Sequence, residues 1–298
     1  SITFAQVYDI ARNTGAYLIE QLGVDRTPVA VFAGRKMVTP AYFLGVVYAG
    51  RPYAPIDASL PDKRIEKILE NLCPRAIVAD RESLEHVESI VDELAKSEGF
   101  DRPQIFIAED ISRFDQVACA DSDCKISESA GDDVTDSEND TDGGVVAGCA
   151  GKTDDSSLDM LAAVRRQMSM TDPLYIIYTS GSTGNPKGVM TSHLSLMTYI
   201  NAYCDVMHIE ESDVLGNQSP LDYIAAIRDI YLPLKTGCST AIIPKEYFME
   251  PNALFDYMND KKVSSVGWSV SAFTILTSLG AFEEVGLKSL RKICFSGS

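Results

Sequence analysis

The residues best suited to chemistry lie in one stretch, from Tyr175 to Val189. Leu174 to Tyr178 is rich in β-branched and aromatic residues, which predicts a buried strand that stops abruptly at a loop of hydroxyl and glycine residues. Successive backbone N–H groups and hydroxyls in such a loop can hold an anion, and glycine permits positive φ and close approach. The loop residues that fit this chemistry are Thr179, Ser180, Gly181, Ser182, Thr183 and Gly184. This composition predicts a phosphate-binding loop.

Lys187 follows the loop and offers a positive charge to the same phosphates. The stretch is not a Walker A loop, because that motif ends in Gly-Lys-Ser/Thr where this chain has Pro186-Lys187-Gly188. A bare Ser-Gly-Ser fragment is typical of a surface turn, and a lone lysine after proline is typical of a solvated side chain. The full string Tyr-Thr-Ser-Gly-Ser-Thr-Gly-Asn-Pro-Lys-Gly, however, resembles the nucleotide-binding signature of the AMP-forming adenylating enzymes.

These enzymes include acyl-CoA synthetases, the adenylation domains of nonribosomal peptide synthetases and D-alanine–carrier protein ligases. The resemblance implies a ligase that joins an amino acid or related carboxylic acid to the α-phosphate of ATP, releasing pyrophosphate. It also implies that the acyl group then passes to the phosphopantetheine thiol of a carrier protein. Lys187 and Thr183 are the expected catalytic residues, because such a reaction needs positioning and charge stabilisation more than proton transfer. ATP and Mg²⁺ are the implied cofactors, with Mg²⁺ bridging the β- and γ-phosphates.

Length and composition set the broad class of protein. With 298 residues and 45% hydrophobic content, the chain can bury a large core. No run approaches the roughly 20 apolar residues of a membrane span, and no signal-peptide pattern opens the chain, so the cytoplasm is the expected location. Seven scattered cysteines predict neither a disulfide framework nor a metal site built from protein side chains.

The net charge of −17 is concentrated in one segment. Between Asp115 and Asp159, thirteen acidic residues face two lysines, which leaves the rest of the chain with only −6. This local acidity argues against nonspecific nucleic-acid binding, which needs clustered Lys and Arg. Residues 112–157 lack periodicity and large apolar groups, which predicts a disordered acidic insertion. An EF-hand is the alternative for so many aspartates, but the ordered Asp spacing and terminal Glu of that loop are missing.

Outside that insertion, strand and helix patterns alternate. Alternation of this kind predicts an α/β fold with parallel-rich sheets covered by helices, in two subdomains, residues 1–111 and 158–298. The pattern also predicts a short strand at Ile2–Phe4 before the first helix, and a helix from His193 to Tyr203 directly after the phosphate loop. By resemblance, this is part of the large N-terminal lobe of an adenylating enzyme. His193 fits a helix start better than a catalytic base, because the reaction does not require one.

The resemblance also places a substrate pocket. In the register of peptide-synthetase adenylation domains, the aspartate that pairs the substrate α-ammonium falls on Ile224, and the next pocket position falls on Arg228. Either Asp222 or Asp229 takes that role, or the substrate lacks an α-ammonium and Arg228 meets an extra carboxylate or another polar group. Asp222 could equally cap the following helix, and Trp268 could equally be a core aromatic. The pocket candidates are Asp222, Ile224, Arg228, Trp268, Cys294 and Ser296.

By resemblance, the domain is expected to continue beyond Ser298. The family would supply there an adenine-binding motif, a ribose-binding aspartate and a small lobe with a catalytic lysine. None of these motifs occurs within the 298 residues. Two alternatives to the carrier-protein ligase therefore stay open. One is a fragment of an acyl-CoA or aryl-acid ligase, and the other is a non-catalytic, nucleotide-binding remnant.

Overall fold

The computed structural model describes residues 1–112, 155–180, 185–280 and 286–296. The strands are β1 (Val29–Phe32), β2 (Tyr53–Pro55), β3 (Ala76–Ala79), β4 (Gln104–Ile107), β5 (Pro173–Ser180), β6 (Pro186–Ser192), β7 (Val214–Asn217), β8 (Ser239–Ile242), β9 (Ser265–Ser269) and β10 (Lys292–Ser296). The α-helices are α1 (Phe4–Leu22), α2 (Thr39–Tyr48), α3 (Asp62–Leu72), α4 (Leu84–Leu94), α5 (Ala108–Ser112), α6 (Asp155–Gln167), α7 (His193–Met207), α8 (Ile224–Thr236), α9 (Pro251–Asp260) and α10 (Val270–Ser278). None of the described helices is long and apolar enough to cross a membrane.

Two sheets organise these elements. The first has six strands in the order β4-β3-β1-β2-β5-β6, and the second has four in the order β10-β9-β7-β8. All neighbouring strands run parallel except β5 and β6, which form an antiparallel pair. The loops that follow the parallel strands of a sheet therefore meet at one edge, its carboxyl edge. This arrangement confirms the predicted α/β class with parallel-rich sheets.

The first sheet is covered by helices on both faces, and its central strands β1 and β3 are apolar and buried in every position. In β1, Val29 and Val31 join a core shared with α1, α2, α7 and α8, which fill the space between the sheets. The alternate residues Ala30 and Phe32 join a second core beneath α3 and α4. The outer face of the second sheet packs against α9 and α10. Strands buried on both faces are typical of parallel sheets.

The first helix begins earlier than the sequence pattern predicts. The expected strand at Ile2–Phe4 is wrong: α1 starts at Phe4, and Thr3 is its N-cap. The Thr3 hydroxyl accepts from the N–H of Gln6 at 3.2 Å, while the Gln6 side chain accepts from the N–H of Thr3 at 2.8 Å. This reciprocal capping box satisfies two backbone donors that an unbonded helix end would leave open.

A strand occupies residues that the sequence pattern left to the phosphate loop. Pro186–Ser192 forms β6, an exposed edge strand antiparallel to β5. Because Tyr53 of β2 pairs with Tyr175 of β5, residues 173–192 complete the first sheet, although the sequence analysis grouped them with the second subdomain. The predicted acidic insertion, residues 112–157, lies outside the described residues except at its ends, Ser112 in α5 and the start of α6.

The buried side chain of Arg51 stabilises the connection between α1 and β1. The side chain of Arg51 is fully buried and forms an ion pair with Asp25. Its guanidinium also donates to the carbonyls of Leu22 at 3.3 Å, Gly23 at 3.0 Å and Thr27 at 3.2 Å. These carbonyls belong to the turn that follows α1, where the helix itself supplies no donors. Arg51 therefore sets the path of the chain from the first helix into the first sheet.

We expect Arg51→Ala to lower the free energy of unfolding by about 3 kcal/mol, because it leaves buried carbonyls and a partly buried carboxylate without their donor. Urea denaturation followed by circular dichroism measures the change. Arg75→Ala is the matched control, since Arg75 contacts the same Asp25 at 3.4 Å from an exposed position. That variant should lose no more than about 1 kcal/mol. Equal losses in the two variants would show that burial of Arg51 adds nothing.

Candidate active site

The predicted phosphate loop joins the two strands of the β5–β6 hairpin. Thr179 and Ser180 are the last residues of β5, and Lys187 lies opposite Thr179 as the second residue of β6. All three are exposed at the carboxyl edge of the first sheet. The remaining loop candidates lie outside the described residues: Gly181, Ser182, Thr183 and Gly184. The fold therefore places two hydroxyls directly before the loop and one cation shortly after it.

The hairpin is packed firmly against α3. The Tyr178 hydroxyl donates to Asn71 Oδ1 at 2.8 Å. A Cβ atom at Gly188 would lie 2.9 Å from Ile176 and 3.1 Å from Tyr178, closer than side chains tolerate. Gly188 thus lets β6 pass close to those side chains. Both features fix the strands that carry Thr179 and Lys187.

His193 lies far from this loop. It is the first residue of α7, directly after β6, and its backbone N–H donates to the Asp172 carbonyl at 3.2 Å. A strand of seven residues separates it from the loop end of the hairpin, about 20 Å at the usual rise per residue. Burial lowers the pKa of the imidazole. These positions favour the helix-start interpretation over a role as base.

The second candidate region surrounds Arg228 on α8. The Arg228 side chain is buried, and its Nε donates to Asp229 Oδ1 at 2.8 Å. Its Nη2 donates to the Gly267 carbonyl at 2.6 Å, and its Cζ lies 5.3 Å from the centre of the Tyr203 ring. Asp229 also accepts from Asn217 Nδ2 at 2.9 Å. Burial raises the pKa of the Asp229 carboxyl, and the Arg228 charge opposes that rise.

The register of β9 and β10 decides which pocket candidates meet Arg228. Cys294 pairs with Gly267, so both lie on the face of the sheet that Arg228 touches. A Cβ at Gly267 would lie 2.2 Å from Arg228 Cζ, so glycine makes room for the guanidinium. Burial raises the pKa of the Tyr203 phenol, and the nearby Cys294 thiol adds to that rise. The backbone of Ser296 pairs with that of Ser269 on the same face, and its side chain is outside the described part of the chain.

Trp268 points to the other face of β9. Its ring centre lies 5.3 Å from that of Phe248 and 5.5 Å from that of Phe273, within the core under α9 and α10. The indole Nε1 donates to the Gly216 carbonyl at 3.0 Å. The structure therefore does not bring Trp268 together with Arg228. Its surroundings match the alternative interpretation, a core aromatic residue.

Asp222 and Ile224 stand on either side of the start of α8. Ile224 is its first residue and is 48% exposed, and the N-cap is Tyr223, with no side-chain capping bond. Asp222 does not cap the helix. It lines a cavity of about 500 Å³ at the carboxyl edges of both sheets, together with Asp57 and Arg35. Asp222 thus faces the loops after β1 and β2 rather than the guanidinium of Arg228.

Arg35 links the loop after β1 of the first sheet to the second sheet. It follows β1, and its Nη2 donates to the Asn217 carbonyl at 2.7 Å and to Asn217 Oδ1 at 2.8 Å. It also donates to the carbonyls of Ser219, at 3.3 Å, and Ile243. Since Asn217 in turn donates to Asp229, a continuous polar path runs from the first sheet to α8. Sequence analysis missed this role, because contacts between residues some 180 positions apart leave no local pattern.

Across the part of the chain with described positions, no group of three or more His, Cys, Asp or Glu side chains could hold a metal ion. Lys187 forms no ion pair with any carboxylate in that part. Exposed hydroxyls beside an uncompensated cation fit a polyphosphate, whose oxygens accept from both. The region around Arg228 offers instead a buried cation whose charge is already balanced by Asp229.

With this geometry in view, comparison with known proteins assigns the family. The AMP-binding enzyme family matches residues 1–298. The chain belongs to that family. It is 25% identical, over 265 residues, to the D-alanine--D-alanyl carrier protein ligase of Bacillus velezensis. The matched residues make up 89% of this chain and 42% of the ligase. It is also 25% identical to bacitracin synthase 1 of Bacillus licheniformis, over 99% of this chain and 4% of the synthase.

Solved structures of AMP-binding enzymes share the fold. The four-domain nonribosomal peptide synthetase holo-AB3403, bound to AMP and glycine, superposes with a TM-score of 0.69 at 19% identity, over 100% of this chain and 18% of the synthetase. ATP-bound MatB from Rhodopseudomonas palustris gives a TM-score of 0.68 at 17% identity, over 100% of this chain and 50% of MatB. The chain spans less than half the length of the carrier-protein ligase that it matches.

Arg228→Met tests whether the Arg228 charge is committed to Asp229. We expect the variant to lose about 3 kcal/mol of unfolding free energy, because the buried Asp229 loses its ion-pair partner. The double variant Arg228→Met/Asp229→Asn should regain most of that loss, since it removes the orphaned charge. Urea denaturation of the wild type, both single variants and the double variant measures the coupling. A single Arg228→Met change below about 0.5 kcal/mol would contradict the pairing.

Asp222 should make stability depend on pH. Burial, followed by the negative charge of Asp57, raises the pKa of the Asp222 carboxyl above its ordinary value. The folded state therefore holds the proton more tightly than the unfolded chain, and this stabilisation is lost as pH rises through the folded-state pKa. Asp222→Asn should match the wild type at about pH 3 and be more stable than it at about pH 7. A constant difference across that range in urea denaturation would contradict this prediction.

Proposed function

We propose that the protein containing this chain activates an amino acid or related carboxylic acid as an acyl adenylate and releases pyrophosphate. It then transfers the acyl group to the phosphopantetheine thiol of a carrier protein. The observation that carries this proposal is the β5–β6 hairpin, which presents Thr179, Ser180 and Lys187 exposed at the carboxyl edge of the sheet. The family membership and the D-alanine--D-alanyl carrier protein ligase relative support the same chemistry.

The first step joins two negatively charged groups. A carboxylate oxygen bonds to the α-phosphorus of ATP, and the bond from that phosphorus to the pyrophosphate oxygen breaks. Lys187 and the hydroxyls of Thr179, Ser180, Ser182 and Thr183 would hold the β- and γ-phosphates and stabilise the charge that collects on the leaving group. Mg²⁺ would add charge neutralisation between those phosphates. In the second step the carrier thiol bonds to the acyl carbon, and AMP leaves.

The contacts of the acidic residues bear on which acid is activated. Asp229 is paired with Arg228 and Asn217, so binding a substrate ammonium there would leave Arg228 buried without its partner. Asp222 lines a different cavity, beside Asp57. Of the two alternatives for the acid pocket, these contacts favour an acid recognised without an ion pair from Asp229. Arg228, Cys294 and Ile224 would then shape the pocket.

Carboxylate-dependent ATP–pyrophosphate exchange by the full-length protein tests the proposal. We expect exchange with α-amino acids or with aryl and hydroxy acids, and the preferred group identifies the substrate class. Lys187→Gln should lower kcat/KM for exchange by about 100-fold, because it removes a cation from the developing charge. Lys235→Gln, at the exposed end of α8, is the control and should keep the wild-type rate.

The remaining alternatives give different outcomes in the same assay. Exchange with acyl transfer to coenzyme A, and none to a phosphopantetheinyl carrier protein, would replace the carrier-protein proposal with a CoA ligase. Nucleotide binding without exchange, for every acid tried, would leave a non-catalytic nucleotide-binding protein. Unchanged exchange by Lys187→Gln would remove the proposed role of that residue.

A further inference from the structure

Three basic side chains of α3 lie beside the loop end of the β5–β6 hairpin. Lys63, Arg64 and Lys67 line a cavity of about 360 Å³ together with Ser180 and Asn185, at the two ends of the loop, and Pro61 and Pro186. The lining of this cavity contains no carboxylate. We refer to Lys63, Arg64 and Lys67 as the α3 basic cluster. Ser180 therefore belongs both to the hairpin site and to the wall of this second cavity.

The cluster is held in place relative to the hairpin. Lys67 Nζ donates to Asn185 Oδ1 at 3.0 Å, which ties the helix to the start of β6. One turn further along α3, Asn71 accepts from the Tyr178 hydroxyl at 2.8 Å, which ties the same helix to β5. Two contacts on one helix, to both strands of the hairpin, leave little freedom for the cations to move away from the loop.

The charges of the cluster are not balanced by close ion pairs. Within the described residues, no carboxylate oxygen lies within 4.0 Å of a nitrogen of Lys63, Arg64 or Lys67. Arg64 Nε is buried and has no hydrogen-bond partner. Asp62, the acid in the first turn of α3, contacts His86 at 2.9 Å instead. The helix also carries Glu66 and Glu70, neither of which forms an ion pair with the cluster within the described residues. The Arg64 charge partly counters the raised pKa of Asp222.

The cluster places like charges close together on one helix. Lys63 and Lys67 are four positions apart, and like charges at that spacing repel on a helix surface. All three cations lie within the first two turns of α3, where the helix dipole favours anions. Three cations without close ion pairs in the described part of the chain, around a cavity that Ser180 also lines, match the needs of a bound anion with several charges.

We propose that the α3 basic cluster is a second anion subsite, which holds the terminal phosphates of ATP and then the pyrophosphate as it separates from the α-phosphorus. This inference rests on the proposed adenylation. Pyrophosphate carries more negative charge than Lys187 alone can balance, and the cluster adds cations in a cavity that Ser180 also lines. A general polyanion surface does not fit, because the chain as a whole has a net charge of −17.

The test measures the affinity of the full-length protein for pyrophosphate, orthophosphate and AMP by isothermal titration calorimetry at fixed ionic strength. The double variant Lys63→Gln/Lys67→Gln should bind pyrophosphate about tenfold more weakly and AMP with unchanged affinity. Arg64→Gln is measured separately. Lys96→Gln, an exposed lysine just beyond α4, is the control and should bind both ligands as the wild type does. Lys63→Arg/Lys67→Arg should restore pyrophosphate binding, because it restores both charges.

Exchange kinetics of the full-length protein separate this inference from the proposed function. The double variant should raise KM for pyrophosphate and leave KM for the acid unchanged, a split that a merely destabilised protein would not show. Wild-type affinity for pyrophosphate in the double variant, or equal losses for pyrophosphate and AMP, would overturn the inference while leaving adenylation intact. Equal wild-type affinity for orthophosphate and pyrophosphate would overturn the assignment to terminal phosphates. A wild-type protein that neither exchanges nor binds ATP would overturn both proposals.

Discussion

The hydrogen bonds of Arg35 hold the two sheets together where β1, β7 and β8 end. One guanidinium, from the loop after β1, reaches the backbone at the ends of β7 and β8, and Asn217 extends the path to Asp229 and Arg228. Buried carbonyls without a donor are costly, so these bonds fix the relative positions of the sheets. The distance between the phosphate hairpin and the surroundings of Arg228 depends on that fixed relation.

Much of the fold follows from local sequence patterns. The apolar run Ala76–Ala79 predicts β3 with the limits that the structure has, and Ile65, Ile68, Leu69 and Leu72 mark the buried face of α3. Strand β6 could not be recognised in the same way, because it is an exposed edge strand without an apolar face. The Thr-x-x-Gln pattern of the capping box, in contrast, marked the start of α1 and was available in the sequence.

The candidate site likewise has residues that the local sequence predicts and contacts that it does not. Loop composition is local, so the hydroxyls and Lys187 could be identified before any coordinates. The pairing of Arg228 with Asp229 could not, because neighbouring residues on a helix point in different directions unless a third group draws them together. Here that group is Gly267, whose missing side chain leaves space for the guanidinium and whose carbonyl binds it. The α3 basic cluster likewise depends on α3 packing against a strand over 110 positions away.

Among the described residues, charges are paired in one candidate region and unpaired in the other, and burial explains the difference. Arg228 is removed from water, where an unpaired charge would cost several kcal/mol, so it must keep Asp229 as its partner. Lys63, Lys67 and Lys187 are exposed, so water stabilises their charges until an anion arrives. The solvent-exposed edge of the first sheet can therefore carry positive charges that attract phosphates without a paired carboxylate. The charge of Arg228 is already balanced by Asp229. Under the proposed function, its surroundings would discriminate between acids through shape and through hydrogen bonds that leave the Arg228–Asp229 pair intact.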